Sequence, residues 1–92
     1  MARKKNQKGA KVIFMLEAQQ ASKVSLAGDF NKWDEKKILL KKSKDNIWKK
    51  EVVLKPGRYE YKFVVDGNWM ADPNNSNKSL SAIGTENSVI EI

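Results

Sequence analysis

A chain of 92 residues has room for one domain, and a domain of that size buries only about 60 to 65% of the surface its unfolded form exposes. With neither cysteine nor histidine, it has no disulfide framework, no thiolate metal site and no imidazole for acid–base or nucleophile chemistry, which excludes several enzyme classes. The net charge of +7 suggests an anionic partner, but +5 comes from Arg3, Lys4, Lys5, Lys8 and Lys11, and residues 12–92 hold 13 basic and 11 acidic side chains, a surplus of only +2.

The basic composition of residues 1–10 predicts a solvated, disordered tail ahead of a single domain over residues 11–92. The apolar run at residues 12–16 is too short for a signal core or a membrane span, so a cytoplasmic setting without membrane contact is expected. Residues 11–18 predict a strand through Val12, Ile13 and Phe14, although residues 15–18 also suit a helix. Residues 23–28 alternate polar and apolar, which predicts a half-buried strand with Val24 and Leu26 inward and Ser25 outward. Gly28-Asp29-Phe30-Asn31-Lys32-Trp33-Asp34 then breaks the alternation with turn-forming residues and carries two aromatics into a loop or packed corner.

The apolar run Ile38-Leu39-Leu40 and residues 47–54 predict two strands joined through the turn Ser43-Lys44-Asp45-Asn46. In the second, Lys50 shares a face with Trp48, Val52 and Leu54, which places it near a sheet edge where its stem packs and its amine reaches water. Pro56-Gly57 predicts a type II turn. It leads into the clearest strand of the chain, residues 59–65, with Tyr59, Tyr61, Phe63 and Val65 inward and Glu60, Lys62 and Val64 outward. Asp66-Gly67 is a type I′ hairpin signal and predicts a return strand through Trp69. Residues 72–78 are dense in turn formers, and residues 88–92 predict a closing strand. About seven short strands with no helix indicate an all-β, immunoglobulin-like antiparallel β-sandwich.

Trp33 and Trp69 fall in or beside loops, where an indole offers a flat apolar face to the C–H faces of a sugar ring. Lys62, Asn68, Thr85 and Asn87 supply directional hydrogen-bonding groups for hydroxyls. Each residue also has an ordinary reading, as a packing tryptophan, a solvated strand lysine or a plain loop residue.

In order along the chain stand Leu26-Ala27-Gly28-Asp29-Phe30-Asn31-Lys32-Trp33, then residues 54–69 ending in Asp66-Gly67-Asn68-Trp69, then Asp72-Pro73-Asn74, then Gly84-Thr85-Glu86-Asn87-Ser88-Val89-Ile90. This ordered set resembles carbohydrate-binding module family 48, the family of the glycogen-binding domain of the AMP-activated protein kinase β subunit and of the N-terminal domains of isoamylases and branching enzymes. The resemblance implies a non-catalytic domain that binds α-1,4-glucans such as glycogen, starch and maltooligosaccharides, needing no cofactor or metal. It further implies that Trp33 and Trp69 stack on glucose units, that Lys62 is the strand lysine of the site, and that Ile83, Thr85 and Asn87 are contacts of the final loop. Ile83 stands where the kinase subunit usually has leucine. Trp48 is implied to be core. A glucan-metabolising enzyme or kinase is a further partner to expect, with the domain as its targeting module.

Two other functions fit the residues less well. The carboxylate pairs a glycosidase would need, Asp29 with Asp34 or Asp66 with Asp72, fall in ordinary turn contexts. A single-stranded nucleic-acid platform also uses aromatics and lysines, but the small surplus charge of residues 12–92 argues against it.

Overall fold

The computed structural model describes residues 9–81 and 84–92. Nine antiparallel strands are present among them: β1 (Ala10–Glu17), β2 (Val24–Gly28), β3 (Ile38–Leu39), β4 (Lys41–Lys42), β5 (Ile47–Leu54), β6 (Arg58–Val65), β7 (Asn68–Met70), β8 (Lys78–Leu80) and β9 (Glu86–Glu91). One three-stranded sheet runs β1-β5-β4. The other, of six strands, runs β3-β2-β6-β9-β8, with β7 paired to β6.

The core forms where the inward faces of the two sheets meet. Phe14 and Leu16 of β1, Trp48 and Leu54 of β5, Val24 and Leu26 of β2, and Tyr61 and Phe63 of β6 are all buried in one cluster. Tyr61 meets Phe14 edge-on at 5.0 Å between ring centroids and Phe63 at 6.0 Å, the tilt that the aromatic quadrupole favours. Trp48 is core as expected, and its indole Nε1–H donates to the Ala18 carbonyl at 3.0 Å.

The predicted alternation of β6 holds through Phe63, but Val64, expected outward, is buried; the Asp66-Gly67 hairpin is present. Asp66 and Gly67 take φ of +49° and +87°, and Val65 pairs with Asn68 across the turn. The Asp66 carboxylate also accepts from the Ser22 and Lys23 backbone N–H groups at 3.0 and 2.9 Å, fastening the hairpin to the start of β2. Lys50 is exposed where β5 runs past the end of β4, whose pairing stops at Lys41 with Lys49.

Four further expectations are corrected. β2 is buried on both faces: Ser25, expected outward, is buried at a groove of about 130 Å³ that it lines together with Glu35, Lys36 and Val64. The run Ile38-Leu39-Leu40 is not one strand, because the chain leaves the larger sheet after β3 and joins the smaller one as β4. Buried Leu40 makes the crossing, with its N–H bonded to the Val24 carbonyl at 2.9 Å. At Pro56-Gly57 the expected type II turn is not formed: Gly57 stands at φ +156°, close to extended and far from the roughly +80° such a turn needs, and its backbone exchanges two hydrogen bonds with Ile92, tying this bend to the end of the chain. β8 lies in a polar stretch that carries no strand signal in the sequence; its partners are supplied by β9, Lys78 facing Ser88 and Leu80 facing Glu86.

Candidate glucan-binding face

The outer face of the six-stranded sheet is organised along β6. Residues directly opposite in an antiparallel pair share a face. Val64 therefore shares the outer face with Ser25 of β2 and Trp69 of β7, Lys62 with Ala27, and Glu60 with Val89. From Glu60 to Val64 this row spans roughly 13 Å at a strand rise of about 3.3 Å per residue.

Trp69 occupies the Val64 end. The residue is 44% exposed, which for a tryptophan beside a hairpin leaves a large apolar surface facing water. Lys62 stands in the middle, at the fork where β9 leaves β6 and β7 begins. Its ammonium donates to Thr85 Oγ1 at 2.7 Å, and Thr85 is held in turn by Ser81, whose N–H donates to the Thr85 carbonyl at 2.7 Å and whose Oγ lies 3.0 Å from Thr85 Oγ1. The expected contact Ile83 lies outside the described residues.

The Glu60 end carries a chain of polar contacts. Asn87, only 8% exposed, donates from Nδ2 to Glu60 Oε1 at 2.9 Å, while Arg58 pairs with Glu60 Oε2 at 2.8 Å. The Glu60 N–H donates to Asp29 Oδ2 at 2.8 Å, and Asp29 Oδ1 accepts from the Trp33 indole Nε1–H at 3.0 Å. Trp33, Asp29, Glu60 and Asn87 are thus joined in sequence. The Asn87 hydrogen bond, and then the Arg58 bond and charge, hold the Glu60 carboxyl below the ordinary glutamate value of 4.5. Because the folded value is the lower one, this contribution to stability is present at neutral pH and is lost as pH falls below about 4.5 and through the folded value. Thermal melts from pH 6 to 3 are expected to show a steeper loss for the parent than for Glu60→Gln.

The Trp33 loop is strained into place. A 3-10 turn at Asp29–Asn31 ends on Lys32 and Trp33, both left-handed at φ +57° and +59°, a conformation that costs a bulky side chain about 1 kcal/mol or more. Buried Asn31 offsets that cost: its Oδ1 accepts from the Gly28 N–H at 3.0 Å, and its Nδ2 donates to the carbonyls of Leu26 at 2.9 Å and Asp34 at 3.3 Å. The Trp33 N–H adds a bond to the Gly28 carbonyl at 2.9 Å. Asn31→Ala orphans these groups and is expected to destabilise the domain by about 1 to 3 kcal/mol in urea unfolding, and to weaken ligand binding with it.

Of the five described site residues, Lys62, Thr85 and Asn87 gather beside β6, Trp69 flanks them in the open, and Trp33 is half-buried with its indole N–H committed to Asp29. Sequence reasoning missed Asp29, Asn31 and Glu60 as the residues that hold the others; an acid directly after a strand-ending glycine was the available signal. The carboxylates considered for catalysis are engaged as structural acceptors: Asp29 and Asp66 as above, Asp34 by the Lys36 N–H at 2.9 Å, and Asp72 by the Tyr61 hydroxyl at 2.7 Å and the Asn74 N–H at 2.9 Å. Burial, with Asp72 alongside, raises the Tyr61 pKa well above its ordinary value and keeps that hydroxyl a donor.

The chain is 42% identical over 53 residues to Protein PTST homolog 2, chloroplastic, of Arabidopsis thaliana, a match of 58% of this chain and 10% of that protein. It is 32% identical over 82 residues to Protein FLOURY ENDOSPERM 6, chloroplastic, of Oryza sativa subsp. japonica, covering 89% of this chain and 15% of the relative. To the 5'-AMP-activated protein kinase subunit beta-2 of Homo sapiens it is 33% identical over 75 residues, 82% of this chain and 26% of the subunit. The chain thus spans only a tenth to about a quarter of these relatives' length. A maltogenic amylase from S. marinus shares the fold, with a TM-score of 0.75 at 24% identity over 89% of this chain and 13% of that one. The family model described as the glycogen recognition site of AMP-activated protein kinase matches residues 11–92, bearing out the resemblance carried by the glycine loop, the Asp66-Gly67 hairpin and the final loop, and the chain belongs to that family.

Proposed function

We propose that the outer face along β6 binds α-1,4-linked glucans such as glycogen, starch and maltooligosaccharides, without chemistry on them. The observation that carries this reading is the half-exposed Trp69 ring at one end of a row whose other members, Lys62–Thr85 and Glu60–Asn87, are already oriented by hydrogen bonds. Trp69 and Trp33 stack on sugar rings, while Lys62, Thr85 and Asn87 meet the hydroxyls, and the final loop with Ile83 reads the curvature of the chain. A short maltooligosaccharide is held at a Kd of about 10 µM to 1 mM, or roughly −4 to −7 kcal/mol.

The test is a titration of intrinsic tryptophan fluorescence with maltoheptaose, repeated with cellohexaose and at high salt. Saturable binding of maltoheptaose alone, unchanged by salt, is expected. An equal response to flat β-1,4 chains, or a steep loss with salt of the kind phosphate contacts give, overturns the proposal. The kinase subunits among the relatives support a second level of the same reading, in which the domain brings a glucan-metabolising enzyme or kinase to its polymer.

A further inference from the structure

The two open edges of the three-stranded sheet are built differently. An unpaired edge is a template for another strand, and proteins block it with short strands or inward-pointing charge. On one side β4 covers only two residues of β5, and Lys50, on the same face of β5 as Trp48 and Val52, sets an exposed charge just beyond it. On the other side is the whole of β1, eight residues long, with Val12, Phe14 and Leu16 inward and no inward charge. Among the described residues only β5 pairs with it. Its outward residues begin at Lys11 and end at Glu17, with exposed Ile13 and Met15 between them, and the one ion pair among the described residues is elsewhere, at Arg58–Glu60.

We infer that the β1 edge pairs with β1 of a second copy of this chain, antiparallel about a two-fold axis at Phe14. In that register Lys11 faces Glu17 of the other copy at both ends, Ile13 faces Met15, and Val12 faces Leu16, so every residue meets one of its own kind or of opposite charge. A shift of the centre by one residue to Ile13 or Met15 leaves both charges unmatched. The register pairs residues of the same parity, so the backbone groups β1 turns away from β5 meet their counterparts, and the inward face stays inward. The contact is isologous, as closed dimers require. It joins two three-stranded sheets into one of six strands and points the outer faces of the two larger sheets to the same side. Resting on the glucan reading above, the dimer is bivalent and gains on a branched polymer through effective concentration what it does not gain on a short oligosaccharide.

The interface belongs to the small, weak class, so the full chain is examined by sedimentation velocity between roughly 10 µM and 1 mM, without glucan, at 0.15 M salt where the Debye length of about 8 Å screens the repulsion of two +7 chains. The parent is expected to shift from monomer to dimer across that range. Lys11→Glu and Glu17→Lys each set like charges against one another at both ends and are expected to weaken dimerisation at least about 10-fold. An equimolar mixture of the two variants restores the matches, Glu with Lys at both ends, and dimerises like the parent, as does the double exchange in one chain. A parent that stays monomeric, single variants that dimerise as well as the parent, or a mixture no better than its components overturns the inference. Because no glucan is present, none of these outcomes bears on the sugar site.

Discussion

Truncating Trp69 to alanine is expected to weaken maltoheptaose binding by about 5- to 150-fold, the 1 to 3 kcal/mol that a packed aromatic anchor contributes. The ring extends from a three-residue strand in which every residue is exposed, so its loss opens no cavity. The melting temperature should move by no more than a surface substitution does, within the span of about 0.5 kcal/mol. That separation makes the variant informative, because affinity falls while the fold stays intact. Isothermal titration of the parent and variant at matched concentration measures it. Unchanged affinity would remove Trp69 from the site, and a collapse of the fold would mean the hairpin is held by the ring. Trp33→Ala is less clean, since Trp33 is half-buried and bonded to Asp29.

The largest effect on stability is expected at Phe63. Its side chain is fully buried at the centre of β6, against Tyr61 and within reach of both sheets, so Phe63→Ala leaves a cavity as well as losing the transfer energy. The cost is about 3 to 5 kcal/mol. A domain of this length has roughly 5 to 14 kcal/mol to lose, and no disulfide supplements it. A fall in melting temperature on the order of 20 °C is expected, read by circular dichroism. Phe63→Leu, which keeps most of the volume, should recover more than half of it.

These two residues also show what was legible in the sequence. Strand β6 declares itself because its alternation is carried by large aromatics on one side, and a period-two pattern survives whatever the rest of the fold does. Trp69 follows from the chemistry of Asp66-Gly67, a turn that dictates its own geometry. The double burial of β2 was not legible, because Ser25 sits at a groove it shares with Glu35 and Lys36, whose proximity depends on the conformation of the intervening loop. Nor was the division of residues 38–42 between two sheets, which is decided by the distance between the sheets and not by any local preference. The side chains proposed to face ligand could be picked out from residue type and resemblance. Asp29 and Glu60 could not, since their roles rest on backbone groups and partners 27 to 31 residues away.

Gly28, which closes β2, has a further consequence for the Trp33 loop. A Cβ placed there would stand 2.6 Å from the Glu60 carbonyl oxygen and 2.8 Å from both Phe30 and Tyr61, so the two strands touch where a side chain would otherwise keep them apart. The next residue is Asp29, the acceptor of both Trp33 and the Glu60 backbone. The proposed binding face therefore inherits the intolerance of the interior: a single codon change at position 28 would wedge the strands open and swing an indole away without touching any residue assigned to the site.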